Sequence, residues 1–302
     1  MVKSAIPSLR GVYSAMPTPL TTDLKVDRDA TRKVVEYLHS GGVSGLSILG
    51  STGECAGLSR QQRWQLVKAV VEAVNGRMTI FGGATGTVVD DLVADLQPLG
   101  GLGIAAALVP PPSYFSLSAS EVYDFYQRLA ENSPVPILLY NIPGMTRVSL
   151  AVQTVARLAE HPNIAGIKDS AGNLAYFTEI VRIGAGRNDF TVFTGGDLIF
   201  APSLLAGAQG LIGAGVNVAP ELFVDILRTF DQGDHEQAMT LQRQACDVMA
   251  ACRIGGYPAE FKSVLAMKGL CQPTMTRPLQ PLTEEQRADL RSRLAAVGVA
   301  AR

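Results

Sequence analysis

Charge of one sign is what this sequence most plainly lacks: 26 Lys plus Arg stand against 27 Asp plus Glu in 302 residues. Neither sign forms a block, so polyanion binding and electrostatic attachment to a membrane have no compositional support. Long apolar runs are missing as well. No stretch could span a bilayer, and the opening Met1-Val-Lys-Ser-Ala-Ile-Pro-Ser8 is not followed by the apolar run of a signal peptide. The expectation is a cytoplasmic protein with neither nucleic-acid nor membrane partners. Cys55, Cys246, Cys252 and Cys271 have no Cys-x-x-Cys spacing and are too few for a disulfide framework, so they read as buried thiols. His39, His161 and His235 fall in or beside helical patterns, without the spacing of a metal site, and no metal is expected.

What is present is a 47% hydrophobic chain in which short apolar runs alternate with amphipathic helical patterns. The runs are Gly11–Met16, Gly45–Leu49, Met78–Gly82, Ile104–Val109, Ile137–Tyr140, Ile164–Ser170, Phe190–Thr194 and Gly210–Gly213. Helix starts are marked by Asp27 and by Ser59 with Gln62, Ser118 with Glu121, and Thr283 with Gln286, three capping-box spacings. Eight βα units in sequence, each of roughly thirty residues, predict a closed (β/α)8 TIM barrel rather than an open doubly wound sheet. Residues 1–220 are expected to form the barrel and residues 221–302 a C-terminal helical segment packed on it.

Chemistry in such a barrel sits at the carboxyl ends of the strands. Ser51 and Thr52 end the second run, Tyr114 follows the fourth, Tyr140 ends the fifth and Lys168 the sixth. None is a histidine and no strand end offers a carboxylate cluster, which argues against metal-assisted hydrolysis and carboxylate acid–base work. A desolvated amine gives up its proton more readily and is then a nucleophile toward ketones. Each residue alone has a plainer reading. Lys168 can simply end a strand and reach solvent, Gly50–Glu54 can be an ordinary turn, Tyr140 a core aromatic, Tyr114 a packing residue, and Glu54 an acceptor for loop N–H groups.

From about Gly11 to Leu270 the chain resembles the pyruvate-dependent Schiff-base aldolases typified by dihydrodipicolinate synthase and N-acetylneuraminate lyase. The motifs are Gly50-Ser-Thr-Gly-Glu54, Tyr140-Asn-Ile-Pro143 and Gly166-Ile-Lys-Asp169. The resemblance implies that Lys168 forms an imine with the C2 ketone of pyruvate or a longer 2-oxo acid, and that Tyr140 moves protons to and from the intermediate. Thr52 is then the relay hydroxyl, Ser51 and Thr52 grip the substrate carboxylate, and the backbone carbonyl of Ile212 lines the pocket. Tyr114 matches a tyrosine contributed by a neighbouring subunit, implying a homo-oligomer, a dimer or a tetramer built as a dimer of dimers. No cofactor is implied, because the protonated imine is itself the electron sink.

Departures from the pattern narrow the substrate. Met145 stands where the synthase has an arginine that holds its second substrate's carboxylate, and an apolar thioether cannot replace a bidentate guanidinium. Arg60, Arg63 and Ser113 stand where regulated members carry the residues of a lysine-feedback site. Asp197 fits the lyase's sugar-chain segment, but Leu198, Ala214 and Gly215 replace its polar partners there. Lys168-Asp-Ser170 is similar to members that cleave small hydroxy-oxo acids such as 4-hydroxy-2-oxoglutarate, leaving Ser170, Asp197 and Asn217 for a short polar aldehyde. The alternatives are the synthase reaction itself, a sugar-acid lyase, a 2-oxo-3-deoxy sugar acid dehydratase, or a non-catalytic barrel holding a phosphorylated metabolite in a nest of Gly195-Gly196 and Gly213–Gly215.

Overall fold

The computed structural model describes residues 9–299; the opening octapeptide and residues 300–302 lie outside them. Eight strands form the sheet: β1 (Gly11–Ala15), β2 (Gly45–Ile48), β3 (Thr79–Gly83), β4 (Ala106–Val109), β5 (Ile137–Asn141), β6 (Ile164–Asp169), β7 (Thr191–Thr194) and β8 (Gly210–Gly213). Each pairs in parallel with the next and β8 pairs with β1, closing the barrel. Both faces are covered, which is why the strands read as continuous apolar runs. Val12, Leu46, Ile80, Val109, Leu139 and Ile167 face the surrounding helices. Tyr13, Phe81 and Phe193 plug the interior, with ring centroids 4.7, 5.4 and 5.8 Å apart. These tilted and edge-on contacts suit the ring quadrupoles.

Helices lie between the strands and start where the caps predict. The Asp27 carboxylate accepts the Ala30 N–H at 2.9 Å, and the capping boxes at Ser59, Ser118 and Thr283 are all formed. Beyond β8, helix Pro220–Asp231 packs against β1 and against helix Phe200–Ala206. Helix His235–Ala251 lies along it, followed by Ala259–Met267 and Glu284–Ala296. Val248, Phe261, Val264, Leu290 and Leu294 give this segment a core of its own. Among the described residues no helix is long and apolar enough to cross a membrane.

One irregularity positions the site. Ile137 of β5 pairs with Ile164, but Leu138 pairs with Gly166, so Ala165 is an extra residue and β6 carries a bulge. Side chains alternate along a strand, and one extra residue inverts the phase. Ile164 faces the helices and Ala165 the interior; past the bulge, Ile167 faces the helices again. Lys168 is thereby turned inward. Gly166 is required here: its φ is +152°, and a Cβ would lie 2.0 Å from the Thr191 carbonyl oxygen.

Candidate active site

The bulge brings Lys168 to the carboxyl end of β6, in register with Tyr140 of β5. Lys168 is 5% exposed; its Nζ donates to the Tyr140 hydroxyl at 3.2 Å and lies 4.3 Å from that ring's centroid. Their motif neighbours fasten the two strands. Asn141 Nδ2 donates to Asp169 Oδ1 at 2.6 Å while Asn141 Oδ1 accepts the Leu150 N–H at 3.0 Å. Burial raises the Asp169 carboxyl above its usual range, against the pull of Asn141. Two motifs far apart in sequence are thus one hydrogen-bonded unit.

The wall opposite Tyr140 comes from β7 and β8. A Cβ on Gly195 would lie 2.7 Å from Lys168 Cε and 2.0 Å from Ser170 Oγ, so bare backbone at Gly195 makes room for both side chains. Asp197 is buried, and its Oδ1 accepts the Gly215 N–H at 3.1 Å. Burial pushes its carboxyl up to about 6, countered by that N–H and by the positive charge of Lys168. The Gly213–Gly215 backbone therefore already cradles an anion, and a phosphate nest at this place is filled by the protein's own carboxylate. Asn217 is also engaged. Its Nδ2 donates to the carbonyls of Ala15 and Ala214, each at 2.9 Å, and its Oδ1 accepts from Ser14, so its donors are not free for an aldehyde. Ile212 packs in the barrel interior, paired with Tyr13.

The Gly50–Glu54 turn is held from outside the barrel. Glu54, in the left-handed region at φ 57°, forms a fully buried ion pair with Lys262, and its Oε2 accepts the Thr276 N–H at 2.7 Å and hydroxyl at 2.9 Å. Lys262 also donates to the Thr274 carbonyl at 2.8 Å. Glu54 thus serves as an acceptor that fixes the turn. Thr52 is buried within it, with its hydroxyl 2.7 Å from the hydroxyl of Tyr257 rather than bonded to Tyr140. Ser51 stands beside it on a cavity of about 390 Å³ that is also lined by Ile142, Met145, Tyr257 and Arg277.

Tyr114 stands apart within this chain. It is 88% exposed, packs edge-on against Phe115, and its φ of +91° is strained for a tyrosine. Lys168, Tyr140, Ser170 and Asp197 come together at one end of the barrel; Ser51 and Met145 line the cavity bordered by Tyr257, and Thr52 is buried behind it. Sequence reasoning missed Tyr257 and the Lys262–Glu54 pair, because both join residues more than 200 positions apart. Gly255-Gly256-Tyr257-Pro258 marks a turn between helices and carries no signal of a partner.

The sequence matches the dihydrodipicolinate synthetase family over residues 8–297. It is 32% identical over 291 residues to an uncharacterized DapA-like lyase of Halobacterium salinarum, covering 96% of this chain and 95% of that one. It is also 32% identical over 290 residues to the 4-hydroxy-tetrahydrodipicolinate synthase of Neisseria meningitidis, covering 96% and 99%. The fold superposes on the crystal structure of the chloride-inhibited dihydrodipicolinate synthase of Acinetobacter baumannii complexed with pyruvate, with a TM-score of 0.91 and 30% identity over 97% of this chain and 100% of that one. A closed barrel with an inward lysine beside a tyrosine, and matches along nearly the full length, lead to one assignment: the chain belongs to the dihydrodipicolinate synthetase family.

Proposed function

We propose that this pyruvate-dependent class I aldolase makes or breaks the bond between pyruvate and a short polar aldehyde, as in a 4-hydroxy-2-oxo acid. The observation that carries the reading is the 3.2 Å contact between Lys168 Nζ and the Tyr140 hydroxyl at the mouth of the barrel. The Lys168 amine attacks C2 of the 2-oxo acid; the C–N bond forms, the former carbonyl oxygen leaves as water, and a protonated imine results. That cation accepts the electron pair released when the C3–C4 bond breaks or a C3 proton departs, so the chemistry runs without a metal. Tyr140, within reach of the nitrogen, carries protons to and from the intermediate. Ser51 and Thr52 hold the carboxylate, and the Ile212 carbonyl borders the reacting carbons.

Substrate size follows from the far wall. Ser170 and Asp197 are the polar groups beside Lys168, which matches a short hydroxylated aldehyde better than a long polyol. Met145, 54% exposed on the cavity wall, offers no cation to a second carboxylate. We assign the protein to the cytoplasm as a homo-oligomer, a dimer or a pair of dimers, in which the exposed Tyr114 reaches a neighbour's site. The test is borohydride reduction with pyruvate. The Lys168 peptide should gain the mass of a reduced pyruvate adduct, and a panel of 4-hydroxy-2-oxo acids should release pyruvate. An unmodified Lys168 peptide, under conditions that label another aldolase of this type, overturns the reading.

A further inference from the structure

Tyr257 belongs to none of the three motifs, yet among the described residues it makes the one side-chain hydrogen bond of Thr52. It lies between helices His235–Ala251 and Ala259–Met267, outside the barrel strands. Its ring packs edge-on against Phe261, 6.0 Å between centroids, and borders the cavity beside Ser51 and Met145. Although the residue as a whole is 39% exposed, its hydroxyl is turned inward onto a buried threonine. Burial raises the phenol well above its usual pKa, with the nearby Tyr140 adding to the effect, so the group stays protonated.

A threonine hydroxyl has one hydrogen and two lone pairs, whereas a carboxylate only accepts. When a 2-oxo acid carboxylate sits at the Gly50–Glu54 turn, Thr52 can donate to it only if its hydrogen is not directed at Tyr257. A phenol is a stronger donor than an alkyl hydroxyl, so the favoured arrangement runs from the Tyr257 O–H to Thr52 and from the Thr52 O–H to the anion. Donors aligned head to tail polarise one another, and the last bond is charge-assisted. Resting on the reading above, we propose that Tyr257 is a positioning residue that aims the Thr52 hydroxyl at the carboxylate of the bound 2-oxo acid. The C-terminal helical segment thereby takes part in substrate recognition.

The test compares Tyr257→Phe, Thr52→Val, the double variant and Thr52→Ser in the full-length protein. Two quantities are read: the pyruvate concentration giving half-maximal borohydride labelling of Lys168, and the rate of C3 proton exchange of pyruvate in deuterated water at saturation. Tyr257→Phe should raise the half-saturating concentration by up to about tenfold, the upper end of what one neutral hydrogen bond contributes, and leave the saturated exchange rate within about twofold. In the Thr52→Val background the same change should do almost nothing, because the hydroxyl it aims is gone; Thr52→Ser should stay close to the parent. Independent, multiplying effects of the two substitutions would overturn the proposal. So would a fall in the saturated exchange rate with half-saturation unchanged, which would make Tyr257 a proton carrier instead. Melting temperatures of all variants identify a folding defect, and Thr52→Ser behaving like Thr52→Val would count against the alignment independently of Tyr257→Phe. Absence of labelling in the parent protein would refute the imine chemistry itself, a different outcome from any of these.

Discussion

Replacing Lys262 by methionine tests the anchorage of the Gly50–Glu54 turn. The parent contact is an ion pair with both side chains fully buried, and Glu54 has two further donors in the Thr276 N–H and hydroxyl. Lys262→Met keeps most of the volume but leaves a carboxylate in the interior facing two neutral donors. Breaking a buried pair from one side costs about 3–5 kcal/mol, since the surviving charge is uncompensated. For a chain of this size that is a fall in melting temperature of roughly 5–8 °C. Urea unfolding followed by circular dichroism and by the fluorescence of Trp64, the single tryptophan, reads the change. Glu54→Gln together with Lys262→Met removes both charges and should be less destabilised than Lys262→Met alone. If Lys262→Met lies within about 1 kcal/mol of the parent, or the double variant is worse by the sum of the two, the pair does not act as an obligate buried couple.

Two further outcomes follow from Asp197 with Glu260, the latter in helix Ala259–Met267, and from Gly166. Burial raises Asp197 from 3.8 to about 6 and Glu260 from 4.5 to about 7. Between those limits the fold binds protons that the unfolded chain has released, so this contribution to stability is fully present at acid pH and is lost as pH rises through the folded values. Melting temperature should therefore fall between about pH 4 and 7 by less in Asp197→Asn and Glu260→Gln than in the parent; identical slopes would remove these two groups as the cause. Gly166→Ala should cost about 2–4 kcal/mol, because its Cβ meets the Thr191 backbone and its φ disfavours a side chain. Where it still folds, labelling of Lys168 by pyruvate and borohydride should drop sharply, and unchanged labelling would show that the bulge does not set the lysine's direction.

Much of the fold was legible because local rules decide it. Apolar runs start and end within two residues of the strands, the largest offset being β4, which begins at Ala106 rather than Ile104. The caps at Asp27, Ser59, Ser118 and Thr283 depend on neighbours three residues away, so they too can be read directly. The site was legible only as far as strand ends and motifs reach. Strict alternation over Ile164–Asp169 would face Ile167 inward and Lys168 outward, and only the pairing with β5 reveals the extra residue. Asn217, polar and suitably placed, reads from sequence as open to substrate, although its amide holds β1 to the turn after β8. Tyr257 and Lys262 were invisible for a related reason: their partners are fixed by how the last helices dock, which no local period records.

The link between Glu54 and the last helices also has a consequence for the order of events during synthesis. All eight strands have left the ribosome once β8 is made, and the barrel can begin to close. Until Lys262 and Thr276 follow, however, the Glu54 carboxylate has none of the partners it holds in the finished protein. A nascent or C-terminally clipped chain can therefore look like a barrel while its Gly50–Glu54 turn is unset, and the fixing of that turn marks the docking of the tail rather than the closure of the sheet.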